Sequence, residues 1–401
     1  MGVRYRRVVF PRHQTRSRRL FTPTVKAALA VGAALACTSL ASAASTAVPA
    51  DATAGRAVVV IQGGGAPHPY STPWSACTGG RPQFVQALVD AGLPVFTAPG
   101  YSNTAVSTSG EEGCPPQPPT AVQWNTSAYP DQAGQAVLGF LGWLNATYGY
   151  RTFDVVGYSY GGIVARATVG ALKRWPAAGT MAPGFSYGQV AVDAGVAIPS
   201  IITLNSPHFG SPTYDIAFDP AAFTRPVLKA WGREFADAGA GLRFFQTTEG
   251  AGAIQVLSTT GHARRSAKSW DAMQAGVLNG VDLTLIAGDY CGQVCAPRGP
   301  SGRSATRKGL RTDGTVPVYS QLMQACPSPC PSPPRSVFIP SGLLPKGVVR
   351  KVFPTVHSSY DAKRLKLAKS LSVASNPSAI NYLVNAEVSR WRAAGVPLLT
   401  P

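Results

Sequence analysis

Short apolar runs alternate with amphipathic segments along most of the chain. The continuous apolar run Ala57–Ile61 stops at three glycines, Gly63–Gly65, as is typical of a strand buried on both faces of a parallel sheet. Similar runs predict strands, and apolar residues spaced three or four positions apart predict helices between them. The predicted strands are 57–61, 94–97, 153–156, 201–204 and 283–287. The predicted helices are 82–91, 162–175 and two that are expected to be capped by Asp131 and by Asn376. This alternation predicts an α/β fold with a mostly parallel central sheet flanked by helices.

Two stretches interrupt the alternation. Residues 209–275 combine helical and loop patterns, with six Phe and Trp residues between positions 218 and 245, and we interpret them as a helical cap or lid inserted after a strand. Residues 326–347 are rich in proline and predict an ordered surface loop.

The first 43 residues have the pattern of an export signal. Met1–Lys26 carries eight Lys and Arg and no acid, the Ala-rich apolar run Ala27–Cys37 follows, and Ala41–Ala43 is a small-residue cleavage site. Ser17–Phe21 fits the twin-arginine pattern, and a general secretory signal with an incidental Arg pair is the alternative. We therefore predict a signal peptide at 1–43, a catalytic domain at 44–401 and a secreted protein.

Composition and charge narrow the classes of partner. Only 13% of the residues are charged, about half the usual share, whereas 45% are hydrophobic, enough for a large core. Cleavage removes eight of the 36 basic residues and no acidic one, so the net charge falls from +18 to +10. The remaining excess at 296–370 predicts a solvated face or a surface that approaches anionic substrates or membranes. Without a recognition motif, a nucleic-acid partner is not expected, and no transmembrane anchor follows the signal.

Six cysteines remain after cleavage, and an exported protein meets an oxidising compartment. We therefore expect three disulfides, and local loops favour the pairs Cys77–Cys114, Cys291–Cys295 and Cys326–Cys330. A crossed pairing of the last four cysteines stays open. A zinc site is not expected because no histidine lies at ligand spacing near these thiols.

The sharpest chemical signal is Gly157–Gly161, a Gly-x-Ser-x-Gly motif between a predicted strand and a predicted helix. A serine hydroxyl is a weak nucleophile and has to project from a tight turn to meet a base. The two glycines let the strand and the helix approach closely around that turn. This context indicates Ser159 as a nucleophile; a structural Gly-rich turn is the alternative.

Through this motif, the chain resembles the α/β-hydrolase fold, specifically secreted bacterial lipases and esterases. The other stretches that carry the resemblance are Val59–Gly64, Leu204–Ser211, Asp313–Pro317 and His357. Pro207–Ser211 is similar to the Thr-Pro-His-x-Gly-Ser of true lipases. The resemblance implies an oxyanion hole made by the amides of Gly64 and Tyr160, although Gln62-Gly63 stands where the family has His-Gly. It implies no metal and no organic cofactor.

The fold places its triad in the order serine, acid, histidine, which singles out the base. His68 precedes Ser159, His208 has a structural role by resemblance, and His262 lies in an Arg-rich part of the lid. His357 is therefore the predicted base.

Two residues compete for the role of the acid. Asp289 directly follows a predicted strand, whereas Asp313 lies in Asp313–Pro317, which resembles the Asp-Gly-x-Val of secreted lipases. We favour Asp313, and Asp289 stays open as the alternative.

These residues predict a secreted carboxylic-ester hydrolase, in particular a lipase, working through an acyl-enzyme on Ser159. The expected partner is a lipid or other ester, including one at an oil or membrane interface, and the expected state is a monomer. Phe244 and Phe245 are predicted to line the substrate cleft, the alternative being that they form the lid's own core. A polyester depolymerase, an acyltransferase or a non-catalytic binding protein on the same scaffold are the other hypotheses.

Overall fold

The central feature of the chain is a six-stranded sheet in which every pairing is parallel. The computed structural model describes residues 55–65, 68–74, 81–101, 118–174, 185–211, 214, 251–258, 270–290, 311–325, 341–364 and 366–399. All of them lie in the compact unit Val48–Pro401.

The strand order places the predicted site at a switch point of the sheet. The strands are β1 (Arg56–Ile61), β2 (Val95–Thr97), β3 (Gly100–Tyr101), β4 (Trp124–Asn125), β5 (Thr152–Tyr158), β6 (Ala197–Leu204), β7 (Asp282–Gly288) and β8 (Val349–Phe353). The main sheet has the order β2-β1-β5-β6-β7-β8, and β3 pairs with β4 separately. The chain leaves β1 toward one edge and returns on its other side as β5. In open α/β sheets, the crevice at the carboxyl ends of two such strands is where ligands bind.

Helices cover both faces of this sheet. Their bounds are α1 (Gln83–Asp90), α2 (Pro130–Tyr148), α3 (Tyr160–Lys173), α4 (Phe185–Asp193), α5 (Ala251–Leu257), α6 (Trp270–Met273), α7 (Val318–Gln321), α8 (Ser359–Arg364) and α9 (Pro377–Ala393). The predicted cap of α9 is present, since the side chain of Asn376 accepts a hydrogen bond from the Ala379 N–H at 3.1 Å. Asp131 is not the cap of α2, which begins at Pro130; its carboxylate accepts the indole N–H of Trp270 instead.

The core forms two layers because successive residues of a strand point to opposite faces. Val58 and Val60 of β1 pack in one cluster with α1 and α9, whereas Val59 and Ile61 pack in the other with α2 and α3. Every residue of β1 is buried, as the uninterrupted apolar run predicts. The predicted fold class, a mostly parallel sheet flanked by helices, is confirmed.

Several predictions fall outside the described residues. These are the export signal at 1–43, Phe244 and Phe245, His262 and all six cysteines that follow the signal: Cys77, Cys114, Cys291, Cys295, Cys326 and Cys330. Of the predicted lid at 209–275, the described parts are 209–211, Tyr214, 251–258 and 270–275. In the part of the chain that the structure covers, no helix is long and apolar enough to cross a membrane.

Candidate active site

Ser159 occupies a strained turn between β5 and α3. Its backbone has φ 53° and ψ −126°, a region that residues other than glycine seldom adopt. The turn is held because the Ser159 N–H donates to the Leu204 carbonyl on β6 at 2.9 Å, and the Ser159 carbonyl accepts from the Gly162 N–H at 3.1 Å. Gly161 allows the close approach: a Cβ there would lie 2.1 Å from the carbonyl oxygen of Ile61. The geometry is that of the nucleophile turn the motif predicts.

A continuous hydrogen-bond chain runs from this serine to a buried carboxylate. Ser159 Oγ lies 2.9 Å from His357 Nε2, and His357 Nδ1 lies 2.8 Å from Asp313 Oδ2. The carboxylate can only accept, so Nδ1 carries the proton and Nε2 accepts the serine O–H. The three residues predicted as the triad are thus brought together in one buried arrangement, with the connectivity that activates a serine.

The Asp313 turn holds its carboxylate toward the histidine. Asp313 Oδ1 accepts the backbone N–H groups of Thr315 at 2.9 Å and Val316 at 2.6 Å, which leaves Oδ2 for His357. Gly314, at φ 93°, makes the tight turn possible. The His357 N–H also donates to the Asp313 carbonyl at 2.9 Å, so the acid and base loops are joined through their backbones as well.

Asp289, the competing acid, points elsewhere. Its carboxylate accepts the Nε–H of Arg311 at 2.5 Å, whereas its backbone N–H donates to Phe353 on β8. The structure therefore brings Asp313, and not Asp289, to the histidine.

The charges around His357 favour its protonated form. Burial by itself lowers the pKa of His357, but the charge and hydrogen bond of Asp313 and the charge of Asp361 outweigh it, so the pKa is raised above 6.5. Burial raises the pKa of Asp313, and His357 together with two backbone N–H groups opposes that rise. An imidazole with a raised pKa accepts the serine proton more readily than an isolated one.

Gly64 and Tyr160, the predicted oxyanion residues, lie side by side. A Cβ at Gly64 would lie 3.2 Å from Tyr160 Cβ and 2.9 Å from the Thr126 carbonyl oxygen. Tyr160 is the first residue of α3, so its N–H has no partner inside the helix and lies at the positive end of the helix dipole. Their role as donors stays a prediction.

Two contacts near the site have no signal in the sequence. His68 donates from Nε2 to the Gly63 carbonyl at 2.5 Å, and this hydrogen bond fixes the glycine segment before Gly64. Burial lowers the pKa of His68 to about 4, so its ring is neutral above that pH. The Tyr158 hydroxyl donates to the His357 carbonyl at 2.8 Å. Neither contact is marked in the sequence beyond the proline-flanked position of His68 close to the glycine run.

The Pro207–Ser211 turn supports the site without entering it. His208 is fully buried, with Nε2 3.1 Å from the Thr203 hydroxyl, in keeping with the structural role that the resemblance implies. The Phe209 N–H donates to the Ser320 hydroxyl at 2.9 Å, which links this turn to α7 beside the acid loop. Within the described ranges, no group of three or more His, Cys, Asp or Glu residues is arranged so that it could bind a metal ion.

Comparison with known proteins agrees with this geometry. The family described as "Putative serine esterase (DUF676)" matches residues 130–262, a third of the chain that includes Ser159 but neither Asp313 nor His357. No curated protein matches the chain.

Among solved structures, the similarities are remote. A lipase of Bacillus licheniformis in mature form is 14% identical over 74% of this chain and 83% of its own, with a TM-score of 0.36. Lipase 1 of Pelosinus fermentans is 11% identical over 82% and 98%, with a TM-score of 0.40, and an esterase of Pyrococcus furiosus is 13% identical over 85% and 84%, with a TM-score of 0.36. Likenesses this weak carry no argument about chemistry.

What identifies the chain is its own architecture. The direction in which the chain adds strands to the parallel sheet reverses between β1 and β5. A serine stands in a strained turn between strand and helix. An acid and a histidine follow it in the chain in that order, and the histidine contacts both the serine and the acid. By these features the chain has the α/β-hydrolase fold, and a putative serine esterase family matches the segment that carries its nucleophile.

Proposed function

We propose that this protein is a secreted serine hydrolase that cleaves carboxylic esters and acts as a lipase or carboxylesterase. The observation that carries the proposal is the hydrogen-bond chain from Ser159 Oγ through His357 to Asp313, at the carboxyl end of the sheet. That chain can remove a proton from serine and return it to a leaving group.

In the first half of the reaction, Ser159 Oγ attacks the ester carbonyl carbon while His357 Nε2 takes the serine proton. The carbonyl oxygen becomes negatively charged and is stabilised by the N–H groups of Gly64 and Tyr160. The C–O bond to the alcohol then breaks, and His357 delivers its proton to the departing alkoxide. Asp313 keeps the imidazole in the correct tautomer and stabilises its positive form.

In the second half, a water molecule replaces the alcohol. His357 takes a proton from the water as its oxygen attacks the acyl carbon, and the bond to Ser159 breaks. The proton passes to Ser159 Oγ, so the acid product leaves and the enzyme returns to its starting state. The cycle uses only residues of this chain and water.

The choice of an ester rests on two features of the sequence. The serine esterase family matches the segment that carries Ser159, and Pro207–Ser211 is similar to the corresponding segment of true lipases. Secretion rests on the charge and apolar pattern of residues 1–43.

Replacing Ser159 by Ala tests the proposal directly. We expect ester hydrolysis to fall by about 10⁴-fold or more, because the nucleophile is lost. A serine-directed phosphonate should label Ser159 in the natural protein and leave the variant unlabelled. Ser200→Ala is the matched control: it removes another buried serine hydroxyl, which donates to Asp154 farther back in the sheet, and should keep full turnover. Labelling at a different residue, or an active Ser159→Ala protein, would refute the assignment.

A hydrolysis profile separates the finer possibilities. The secreted protein is assayed on esters of increasing acyl length, with and without an oil interface, on a polyester film, and with an added alcohol acceptor. Activity that rises with chain length and with an interface supports a lipase. Preference for short soluble esters, for the film, or for transfer to the alcohol would instead support an esterase, a depolymerase or an acyltransferase.

A further inference from the structure

A second carboxylate is buried beside the triad. Asp361 lies in the first turn of α8 and is 4% exposed. Its two oxygens accept hydroxyl hydrogen bonds, Oδ1 from Thr315 at 3.1 Å and Oδ2 from Ser358. The Asp361 N–H donates back to the Ser358 hydroxyl at 3.2 Å, so this carboxylate is fixed from two directions. The catalytic steps described above do not use it.

Asp361 connects the acid loop with the base loop. Thr315 contacts both carboxylates, because its backbone N–H donates to Asp313 and its hydroxyl donates to Asp361. Ser358, the other donor, directly follows His357 in the chain. The segment from His357 to Asp361 is therefore held against the Asp313 turn by a side-chain link, in addition to the direct contact between the histidine and its acid.

The charge of Asp361 also reaches the imidazole. After burial and Asp313, it is the next influence on the pKa of His357, which it raises. Among the described residues, Tyr360 and Lys363 of the same helix are also titratable. The hydroxyls of Tyr158 and Tyr214 are buried near both carboxylates; burial, aided by Asp313 and Asp361, keeps the pKa of both tyrosines far above 7, so they remain neutral. Two carboxylates thus lie near the ring that becomes positive when Ser159 is deprotonated.

We propose that Asp361 is a positioning residue of the triad, which holds the His357 loop on the Asp313 turn and stabilises the imidazolium with a second negative charge. The inference rests on the proposed function, since it assigns a role in the same proton transfer. A charge in a buried site acts more strongly than one in water, so a carboxylate that does not touch the ring still contributes.

The test measures the pH dependence of kcat/KM on one soluble ester for Asp361→Asn, Asp361→Glu and Thr315→Val. His357 must be neutral to act as a base, so the acidic limb of the profile reports its pKa. With Asp361→Asn we expect this limb to move to lower pH, because a charge that raises the pKa of His357 is lost. We also expect the plateau value of kcat/KM to fall by up to about 100-fold, as for a misplaced reacting group. Asp361→Glu should restore the limb. Thr315→Val keeps the charge of Asp361, so the acidic limb of its pH profile should stay in place. Its plateau value of kcat/KM should fall, because the link between the two loops is lost.

Asp289→Asn is the matched control, because Asp289 is another largely buried carboxylate near the carboxyl end of β7, but it pairs with Arg311 and not with the triad. It should leave the acidic limb unchanged. A purely structural Asp361 would lower the melting temperature of Asp361→Asn and leave the limb in place, which would overturn the proposal. Asp361→Ser, which keeps a hydroxyl acceptor, serves as a second neutral variant. If neither neutral variant folds, an unchanged plateau in Thr315→Val overturns the proposal.

Failure of the proposed function gives a different result. In that case, the natural protein itself neither hydrolyses the ester nor reacts with the phosphonate at Ser159. A natural protein that does both, with an Asp361→Asn variant of identical pH profile, refutes the role of Asp361 alone.

Discussion

At the scale of single residues, one side-chain oxygen decides which carboxylate serves the histidine. Asp313 Oδ2 faces His357 Nδ1 because two backbone N–H groups occupy its other oxygen, whereas Asp289 is turned toward the guanidinium of Arg311. Both aspartates lie near the carboxyl end of β7, so position along the chain does not distinguish them. Local turn geometry does.

Asp313→Asn should lower turnover on a soluble ester by about 10⁴-fold with little change in melting temperature, because the imidazole then adopts the wrong tautomer. Asp289→Asn is the paired control, since it removes a carboxylate that forms an ion pair with Arg311, whose side chain is 59% exposed. We expect it to stay within a few-fold of the natural rate. A crippled Asp289→Asn beside a nearly normal Asp313→Asn would reverse the assignment.

The residues found from sequence differ physically from those that were missed. Ser159 could be predicted because its glycine spacing is local, and Asp313 and His357 because their order in the chain is fixed by the fold. Tyr158 could not, since its hydroxyl contacts a carbonyl 199 residues away. Asp361 likewise becomes recognisable only when Thr315, 46 residues earlier, lies beside it.

At the scale of elements, the site depends on how closely α3 can approach β1. A Cβ at Gly161 would lie 2.1 Å from the Ile61 carbonyl oxygen and 2.4 Å from that of Gln62, both of them rigid backbone atoms. The first turn of α3 is therefore fixed directly against the segment that leads to Gly64. Helix position and oxyanion geometry are consequently coupled.

Gly161→Ala should push α3 away from β1 and displace Ser159. We expect a loss of about 1–3 kcal/mol in the free energy of unfolding, and a fall in kcat/KM of about 10²-fold from the misplaced nucleophile. Gly170→Ala is the matched control on the same helix, because its Cβ would meet mainly the flexible end of Arg174. Denaturant melts and ester kinetics compare the two. Equal behaviour of both variants would show that the close approach is unimportant.

The strand β8 shows where element prediction from sequence stops. Val-Arg-Lys-Val-Phe contains no apolar run, and none of its five residues is fully buried, because β8 lies at the edge of the sheet. Its position comes from pairing with β7, a contact that crosses more than 60 residues of sequence. The central strands, buried on both faces, could be predicted from their own residues.

At the scale of the whole molecule, a buried polar network joins the sheet to α9. Asp154 on β5 accepts hydrogen bonds from Arg56, Ser200 and the indole N–H of Trp391. Glu387, fully buried next to it, accepts only a long bond from Arg390 at 3.3 Å among the contacts described. Burial, with the nearby charge of Asp154, raises the pKa of Glu387 to about 8.

This raised pKa predicts a pH-dependent stability. The unfolded chain releases the Glu387 proton near pH 4.5, whereas the folded chain keeps it until about pH 8, so the free energy of unfolding falls as pH rises between these values. The slope for one proton is at most about 1.4 kcal/mol per pH unit. Glu387→Gln, neutral at every pH, should flatten that part of the curve and be the more stable protein at pH 8. Parallel curves for the two proteins in urea melts from pH 4.5 to 8 would contradict this.

The separation of 198 positions between Ser159 and His357 determines when during folding the chemistry can begin. The nucleophile turn is built from β1, β5 and α3, whereas its base follows β8, which pairs with β7 at the far edge of the sheet. Pairings this distant in sequence are slow to form. In a chain that is still being synthesised, Ser159 therefore has no base to activate it. The protein becomes able to react with esters only once its last quarter, which carries Asp313 and His357, has folded.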